Sequence, residues 1–265
     1  MLPSKINGTE LGRDEFRDAL RLRYGRTLSN LPSNCDGCGA KLTLEHALSC
    51  KKGGLIIQRH DEINQELATL SELALKRSAV RAEPLISPSS SNTPTPPSPN
   101  STSPSSAPPE PPIDNRDRGD LLVRNLWENG TDCIIDIRVT DLDAPSQSSR
   151  DPEKILASHE VQKKKKYVQD CLDQRRSFVP FVVSADGLFG HEATTLMKQI
   201  ARKLATKWSR PYSVTCGFVR ARMSIACVRA NHICLRGSRI PFSQMSKKFE
   251  WNDGAGARLF QMDRF

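Results

Sequence analysis

The chain has 265 residues, of which 37% are hydrophobic and 26% are charged, and its formal net charge at pH 7 is +9. This length allows one or two domains with a buried core, and the positive charge favours a polyanionic partner such as nucleic acid. A basic protein without such a partner would have the same composition. No secretion signal and no run of about 18 apolar residues is visible, so we expect an intracellular protein, nuclear or cytoplasmic, without membrane association.

Two amphipathic helices are predicted in the first third of the chain. In the first, residues 10–24, Phe16, Leu20 and Tyr24 recur every four residues, and Gly25 is suited to end the helix. The second runs from Leu55 to about Leu75. Its apolar side chains share one broad face and are Leu55, Ile56, Ile63, Leu67, Leu70, Leu73 and Ala74.

The segment CDGCGAKLTLEHALSC, residues 35–50, lies between these helices. Its spacing, C-x2-C-x7-H-x3-C, gathers four nitrogen and sulfur ligands: Cys35, Cys38, His46 and Cys50. Four such ligands with no open position are typical of a structural, tetrahedral Zn²⁺ with ligand distances of about 2.0–2.3 Å. The alternatives are a chance cluster of cysteines and a pair of disulfides. The other cysteines lie in apolar contexts and are predicted to be reduced and buried.

Residues 87–112, SPSSSNTPTPPSPNSTSPSSAPPEPP, consist mostly of Pro and Ser. Such a composition neither forms strand ladders nor buries a core, so it predicts a disordered linker. A proline-rich ligand for another protein is the alternative.

A β-hairpin is predicted after the linker, with strands at residues 120–127 and 132–140 around Glu128-Asn129-Gly130. Asp136 interrupts the apolar run of the second strand, and Asp120 begins the first. A buried carboxylate is costly unless it is paired or binds a metal, which makes Asp136 a candidate functional residue.

The length of the hairpin loop decides whether Asp120 and Asp136 can act together. A two-residue Asn-Gly turn would place Asp120 opposite Val139 and the two aspartates on opposite faces of the sheet. A three-residue Glu-Asn-Gly loop would place Asp120 opposite Arg138. The aspartates would then be diagonal neighbours on one face, with Cα atoms about 7–8 Å apart, a span suited to a shared Mg²⁺.

A charged helix is predicted at residues 153–176 and contains HEVQKKKKY. Lys163 and Lys166 lie on the same face as His159, and a lysine near two metal-binding carboxylates can orient water and stabilise charge on a phosphate. The alternatives are a solvated face opposite Val161, Val168 and Leu172, simple phosphate contacts, or a nuclear import signal.

The remaining predicted elements are a buried strand and two helices. The strand covers residues 178–185, and Pro180 predicts an edge or a bulge. Helices follow at residues 190–208 and 213–235, the second with a short strand as an alternative ending.

The ordered series FRDALRLRYG, CDGCG, EHALSC, GGLIIQRHDEI, AEP, RGDLLV, IIDIRVTD and KKKKY resembles the C-terminal region of certain non-LTR retrotransposon polyproteins. In that family a CCHC zinc finger precedes a restriction-like endonuclease of the PD-(D/E)XK superfamily. The resemblance matches the family's metal-binding acidic residues to Asp120 and Asp136, and its K-x-x-K-Y motif to Lys163, Lys166 and Tyr167. Glu83 matches an acidic residue that some members contribute from the first helix. The family's Pro-Asp is Gly119-Asp120 here.

The resemblance implies an α/β fold of the restriction-endonuclease type, a small mixed sheet flanked by helices, with an N-terminal helical zinc-finger arm. It implies an Mg²⁺- or Mn²⁺-dependent DNA endonuclease that binds DNA, with RNA as an alternative partner, and whose reverse transcriptase module is missing from this chain. The alternatives are an inactive nucleic-acid-binding remnant and a zinc-stabilised interaction adaptor. The predicted divisions are 1–52 (helix and finger), 53–86 (first helix and start of the nuclease-like core), 87–112 (linker), 113–240 (core) and 241–265 (irregular tail).

Overall fold

A four-stranded sheet with helices on both faces forms the body of the protein. The structure, a computed structural model, describes residues 4–86, 117–142, 147 and 150–240; the predicted linker, 87–112, and the predicted tail, 241–265, lie outside these residues. The strands are β1 (Val80–Ala82), β2 (Leu121–Arg124), β3 (Asp132–Thr140) and β4 (Ser177–Ser184). The helices are α1 (Arg13–Arg23), α2 (Leu44–Ser49), α3 (Leu55–Ala74), α4 (Pro152–Asp173), α5 (His191–Trp208) and α6 (Tyr212–Arg236).

The sheet is mixed, with the strand order β1-β2-β3-β4. β1, β2 and β3 pair in antiparallel fashion, whereas β4 is parallel to β3 and is reached through α4. β4 lies at the edge of the sheet, which agrees with the prediction from Pro180, because proline has no N–H to donate to a ladder. The predicted α/β class, a small mixed sheet flanked by helices, is therefore confirmed.

The two faces of the sheet bury different helices. Alternate residues of β3, such as Cys133, Ile135 and Ile137, join the main core, which α3, α5 and α6 cover. The residues between them face α4, where Ile134 packs with Tyr167 and Cys171. Because side chains alternate along a strand, Asp136 lies on the α4 side with Ile134. The sheet thus presents Asp136 to the lysine-bearing helix.

The hairpin between β2 and β3 has a longer loop than predicted. Leu121 pairs with Ile135, and Asp120, the residue before this ladder, also donates its N–H to the Ile135 carbonyl at 3.0 Å, so Asp120 lies beside Asp136 but outside the regular register. The predicted pairing of Asp120 with Arg138 is wrong, whereas a shared face for the two aspartates stays a prediction. The chain leaves the ladder at residue 125 and re-enters it at residue 132, so the loop has an odd length and seven residues.

The longer loop results from a buried leucine. Leu126 is fully buried in the main core, and its carbonyl accepts a hydrogen bond from Gln199 of α5 at 2.8 Å. Asn125 takes a positive φ of 62°, and its side-chain oxygen accepts the Gly130 N–H at 2.6 Å. These contacts hold the chain open where a tight turn around Asn129 and Gly130 would have closed it.

Helix α4 does not bury the apolar stripe of Val161, Val168 and Leu172 against the sheet. Val161 and Leu172 are 64% and 57% exposed, and the sheet is contacted by the side that carries His159, Lys163 and Tyr167. The alternative of a solvated Lys163 is therefore wrong, since the lysine side chain is only 23% exposed. The partner of Lys163 is Asp136 of β3.

The first helix is likewise docked through a polar side chain. Phe16 and Tyr24 are 55% and 72% exposed, so the apolar stripe read from the sequence faces outward. Asp18 is 1% exposed and forms two hydrogen bonds, at 2.7 and 2.9 Å, with the guanidinium of Arg236 in α6. Gly25 ends the helix with a positive φ of 60°, as predicted.

The C-terminal helix is continuous through its predicted alternative ending. α6 runs from Tyr212 to Arg236 as one helix, and no strand follows it within the part of the chain that is described. None of the described helices combines the length and the apolar character needed to cross a membrane.

Candidate functional site

The candidate site is built on one row of residues that runs across the sheet. Asp120 contacts Glu83 on one side and the residues before and after Asp136 on the other, and Asp136 pairs with Pro180 of β4. The Asp120 carbonyl accepts the Glu83 N–H, and the Asp120 N–H bonds to the Ile135 carbonyl, each at 3.0 Å. Three acidic residues that are far apart in the sequence are thereby brought to one end of β2.

Lys163 of α4 forms a direct ion pair with Asp136. Its Nζ contacts Oδ2 of the aspartate, whose side chain is only 8% exposed. Lys163 lies one helical turn after His159, on the side of α4 that faces β3. The two residues that the sequence analysis singled out from different elements therefore meet.

Asp120 is held by the neighbouring strand and by α3. Its Oδ2 accepts the backbone N–H of Ile137 at 2.5 Å, a position that a ladder carbonyl would otherwise fill. The same oxygen lies 3.3 Å from Nε2 of His60, which comes from α3. The His60 contact was missed from the sequence, where the only signal was a histidine placed three residues before the buried Ile63.

The electrostatics of the row reflect its burial. Burial raises the pKa of Asp136, and the Asp120 carboxylate adds to this rise, while Lys163 opposes it. The hydrogen bond to Asp120 raises the pKa of His60. A cation close to Asp136 would oppose the effect of burial and favour its charged form.

Three other predicted residues lie near the row but contact different partners. Lys166 donates to Asp117 at 2.9 Å and to the Tyr167 hydroxyl at 2.8 Å, so it does not contact Asp120 or Asp136. Arg138 donates to Gln162 of α4 at 3.0 Å. The Glu83 side chain is exposed and its φ is 47°, and only its backbone is bonded to Asp120.

The structure explains why glycine, Gly119, precedes Asp120. Gly119 donates its N–H to Pro84 at 2.9 Å, a hydrogen bond that proline at this position would be unable to make. A Cβ on Gly119 would lie 2.6 Å from Cγ2 of Ile134. The departure from the family's Pro-Asp is therefore accommodated by the way β2 enters the sheet here.

A second histidine braces α4 against β3 beside the row. Nδ1 of His159 lies 3.0 Å from the Thr140 hydroxyl, and the ring is 5% exposed. Burial, together with the charges of Arg138 and Arg150, lowers the pKa of His159 to about 4. The ring is therefore neutral at physiological pH and serves as a hydrogen-bonded core residue.

The predicted zinc ligands form a separate cluster. The ligand atoms of Cys35, Cys38, His46 and Cys50 all lie within 4.8 Å of one another, and within the described residues no other group of three or more His, Cys, Asp or Glu meets this condition. Cys35 Sγ is 3.9 Å from Cys50 Sγ, and Cys38 Sγ is 3.3 Å from His46 Nε2. All four cysteine and histidine side chains are available, since the three thiols are free and not in disulfides. The cluster can hold a metal ion.

Local structure creates this cluster from two short pieces. Gly39, with a φ of 77°, donates its N–H to Cys35 at 2.9 Å and closes the turn that carries the first two cysteines. Thr43 caps α2 by accepting the His46 N–H at 3.1 Å, which fixes the helix that presents His46 and leads to Cys50. Burial raises the pKa of Cys35, but hydrogen bonds from His46 and from the backbone outweigh it and lower that pKa to about 6, which favours the thiolate that binds metal.

The cluster is attached to the rest of the protein by buried arginines. Arg239, which follows α6 and is 3% exposed, donates to the carbonyls of Ala47 at 3.0 Å and Cys234 at 2.7 Å. Arg59 of α3 donates to the Leu48 carbonyl at 2.9 Å. The predicted zinc-finger arm thus contacts the core through α3 and the end of α6.

Comparisons with known proteins do not identify a family for this chain. The sequence matches no family model, and no curated protein is similar to it.

Proposed function

We propose that the chain is a metal-dependent DNA endonuclease of the restriction-like type, derived from a non-LTR retrotransposon polyprotein. The observation that carries the proposal is the meeting of Lys163 with Asp136, whose two neighbours in β3, Ile135 and Ile137, are both bonded to Asp120. Two carboxylates and a lysine in this arrangement are the groups that hydrolysis of a phosphodiester needs.

The residues present fit a divalent metal. Within the part of the chain that is described, Asp120 and Asp136 use Oδ2 for their polar contacts, so we assign Oδ1 of each carboxylate to the cation. Bound by these two aspartates, Mg²⁺ or Mn²⁺ would activate the attacking water and neutralise charge on the phosphate. Lys163 orients that water, and Lys166, with its 55% exposed side chain, contacts the phosphate backbone nearby. Glu83 is left with an exposed position at the edge of the site.

The cluster of Cys35, Cys38, His46 and Cys50 is proposed to hold a structural Zn²⁺. Its four ligands leave no position for a substrate, so the ion stabilises the fold of residues 35–50. The basic surface around the finger and α4 places the DNA.

One observation favours the alternative of a nucleic-acid-binding protein without catalysis. Lys166 is paired with Asp117 and with the Tyr167 hydroxyl, so among the described lysines only Lys163 contacts either aspartate. In that alternative, the ion pair between Lys163 and Asp136 only stabilises the fold. An interaction adaptor, the third function considered, has no specific support from the described contacts.

Cleavage of supercoiled plasmid with Mg²⁺ or Mn²⁺ tests the proposal. We expect the wild type to nick the plasmid, and Asp136→Asn and Asp120→Asn to abolish nicking without unfolding the protein. Lys163→Ala should slow cleavage by about 10²–10³-fold, the effect of losing one preorganised charge. Lys164→Ala is the matched control, because Lys164 pairs with Glu192 of α5 and should matter much less. Wild-type protein that leaves every DNA substrate intact, like Asp136→Asn, would eliminate the nuclease.

A further inference from the structure

The last two helices carry positive charge without any acidic residue. Residues 193–240 contain ten Lys and Arg and no Asp or Glu. Five of these cations bond to acidic side chains or backbone carbonyls inside the protein and are Lys207, Arg222, Arg229, Arg236 and Arg239. The other five form no ion pair with an acidic group of the described residues and are Lys198, Arg202, Lys203, Arg210 and Arg220. A surface with this excess of positive charge attracts a polyanion.

Two exposed aromatic side chains lie among these cations, at the corner where α5 ends and α6 begins. Trp208 and Tyr212 are 38% and 40% exposed. The guanidinium carbon of Arg202 lies 5.9 Å from the centre of the Tyr212 ring, within the range of a cation–π contact. Lys198 lies one turn before Arg202 on α5, and Arg220 lies two turns after Tyr212 on α6. Positive charge therefore flanks the Tyr212 ring along both helices.

Trp208 also lines an open groove beside this corner. The groove has a volume of about 560 Å³, which is typical of small-ligand sites, and its lining combines the apolar side chains of Leu73, Val214 and Phe218 with Arg210. The Phe218 ring meets the indole at a centroid distance of 5.3 Å and an angle of 74°. This contact fixes the orientation of the indole but leaves part of it open to a planar ligand.

The combination of exposed rings and cations distinguishes a single strand from other nucleic acids. In a duplex the base faces are stacked on one another, so a protein surface of this kind would contact only the phosphates. In a single strand the bases are free to stack on aromatic side chains while the phosphates contact Lys and Arg. The corner between α5 and α6 offers both kinds of contact.

We propose that the corner between α5 and α6 binds single-stranded DNA. The bases stack on Trp208 and Tyr212, and the phosphates contact Arg202, Arg210 and Arg220. The choice of DNA over RNA rests on the proposed function, because a nicked duplex supplies a single DNA strand. The corner is separate from the candidate catalytic residues, since α5 and α6 cover one face of the sheet and α4 covers the other.

Fluorescence anisotropy with an oligothymidylate of about 12 nucleotides tests the inference. The zinc-loaded, full-length Asp136→Asn protein serves as the parent, so that the probe is not cleaved. Tyr212→Ala should raise the Kd about tenfold, the effect of losing one stacked base. Tyr212→Phe keeps the ring and should bind like the parent. An abasic oligomer of the same length keeps the phosphates but lacks the bases, so Tyr212→Ala should not weaken its binding.

Two further measurements separate stacking from charge. Oligothymidylate should quench the tryptophan emission of the parent, and this quenching should be lost in Trp208→Phe. Arg220→Ala should reduce the slope of log K against log salt by about 0.7, the value for one phosphate contact of a single strand. Lys165→Ala, an exposed position of α4, should leave that slope unchanged.

An exposed tyrosine elsewhere provides the matched control for the ring. Tyr24 is 72% exposed and follows α1, which docks through Asp18 on Arg236 at the end of α6 opposite to Tyr212. Tyr24→Ala should leave the Kd for oligothymidylate unchanged. An equal increase of the Kd in Tyr24→Ala and Tyr212→Ala would overturn the inference, because no particular aromatic surface would then be involved.

Other occupants of the corner give different results. Equal Kd values for the parent and Tyr212→Ala, or equally tight binding of the abasic oligomer, would overturn the inference. A preference of more than about tenfold for oligouridylate would assign the surface to RNA and overturn the choice of DNA. Self-association of the parent that Tyr212→Ala abolishes, without a change in DNA binding, would assign the corner to a second copy of the chain and also overturn the inference.

The outcomes for this inference and for the nuclease differ. Plasmid cleavage by the wild type, together with a Kd for oligothymidylate that Tyr212→Ala leaves unchanged, would remove the single-strand surface and leave the nuclease standing. Binding of oligothymidylate through Tyr212, by a protein whose wild type leaves every DNA substrate intact, would support the surface and exclude the nuclease.

Discussion

Asp136 is an acidic residue at a position that disfavours its charge. It is 6% exposed, lies between isoleucines of β3, and burial raises its pKa. A carboxylate that serves only stability is better replaced by an apolar side chain of similar size at such a position. The combination of a buried charge, a lysine partner and a second carboxylate nearby is therefore the strongest local indication of function in the described residues.

The sequence predicted some of these residues but not all. An aspartate within CIIDIRV is visible because it breaks an apolar run, and the helical spacing placed Lys163 with His159. Whether that helix face meets the sheet depended on long-range packing, because Val161 and Leu172 formed an equally good apolar stripe. His60 gave no comparable signal, since its partner Asp120 is sixty residues away.

His159 predicts a measurable pH dependence of stability. Its folded-state pKa of about 4 lies below the ordinary value of 6.5, so the unfolded state binds more protons between these values. The stabilisation is therefore complete above about pH 6.5 and is lost as the pH falls toward 4. We expect the wild type to lose about 1–3 kcal/mol of unfolding free energy relative to His159→Gln over this range, as measured by urea titrations.

An exposed histidine provides the control for this prediction. His191→Gln, at the start of α5, should follow the wild-type pH profile. Parallel profiles for the wild type and His159→Gln between pH 6.5 and 4 would contradict the neutral, buried state assigned to the ring.

At the level of elements, the sequence predicted that β2 pairs with β3 in a hairpin but did not predict the register of the pair. Alternation along the strands predicts that the two aspartates share a face once the loop is odd in length, and the loop of seven residues meets this condition. To predict the register, the position of Leu126 must be known, because this residue enters the core and the seven loop residues stay outside the ladder. The residues Glu128-Asn129-Gly130 favour a short turn through local conformation alone. The burial of Leu126 under α5 is a tertiary contact, and it determined the length of the loop.

The attachment of the cysteine cluster to α6 gives an element-level prediction. Arg239 bonds to the carbonyls of Ala47 and Cys234, and its backbone N–H donates to Asp36 at 2.8 Å. Arg239→Ala should leave those buried carbonyls unpaired and reduce stability by about 2 kcal/mol, a decrease in Tm of several degrees. The zinc content should not change, because no ligand is removed. Calorimetry and elemental analysis measure both quantities.

Two comparisons test this assignment of roles. Cys38→Ser should lower the zinc content and loosen residues 30–55, since it removes a ligand. Lys52→Ala, an exposed position beside the cluster, should change neither the zinc content nor the Tm. An unaltered Tm in Arg239→Ala would mean that the Arg239 contacts do not stabilise the attachment of the finger to the core, whereas zinc-free wild-type protein would remove the metal assignment itself.

For the molecule as a whole, the net charge of +9 overstates the number of cations that the surface offers to a ligand. Several arginines of α6 and its end bind inside the protein: Arg222 pairs with Glu66, Arg236 with Asp18, and Arg239 with backbone carbonyls. These cations join the N-terminal segments to the last helix. Composition correctly predicts a basic protein, but only the fold separates the cations used for packing from those open to a ligand.

The lysines of α4 allow the binding of DNA to be tested without catalysis. Lys166 is 55% exposed and lies on the side of the helix that carries Lys163, whereas the exposed Lys165 lies on the far side. A duplex placed across Asp120 and Asp136 would contact Lys166 and not Lys165. Each substitution by alanine removes one positive charge, so any effect of net charge is the same for both.

We therefore expect the two substitutions to differ when they are introduced into cleavage-deficient Asp136→Asn. Lys166→Ala should weaken binding to duplex DNA and reduce the slope of log K against log salt by about 1, the value for one lost phosphate contact. Lys165→Ala should leave the slope unchanged. Titrations of fluorescent duplex at several salt concentrations measure both slopes. Equal effects of the two variants would show that the DNA does not lie on this face of α4, and salt-independent binding would exclude a phosphate-based interface altogether.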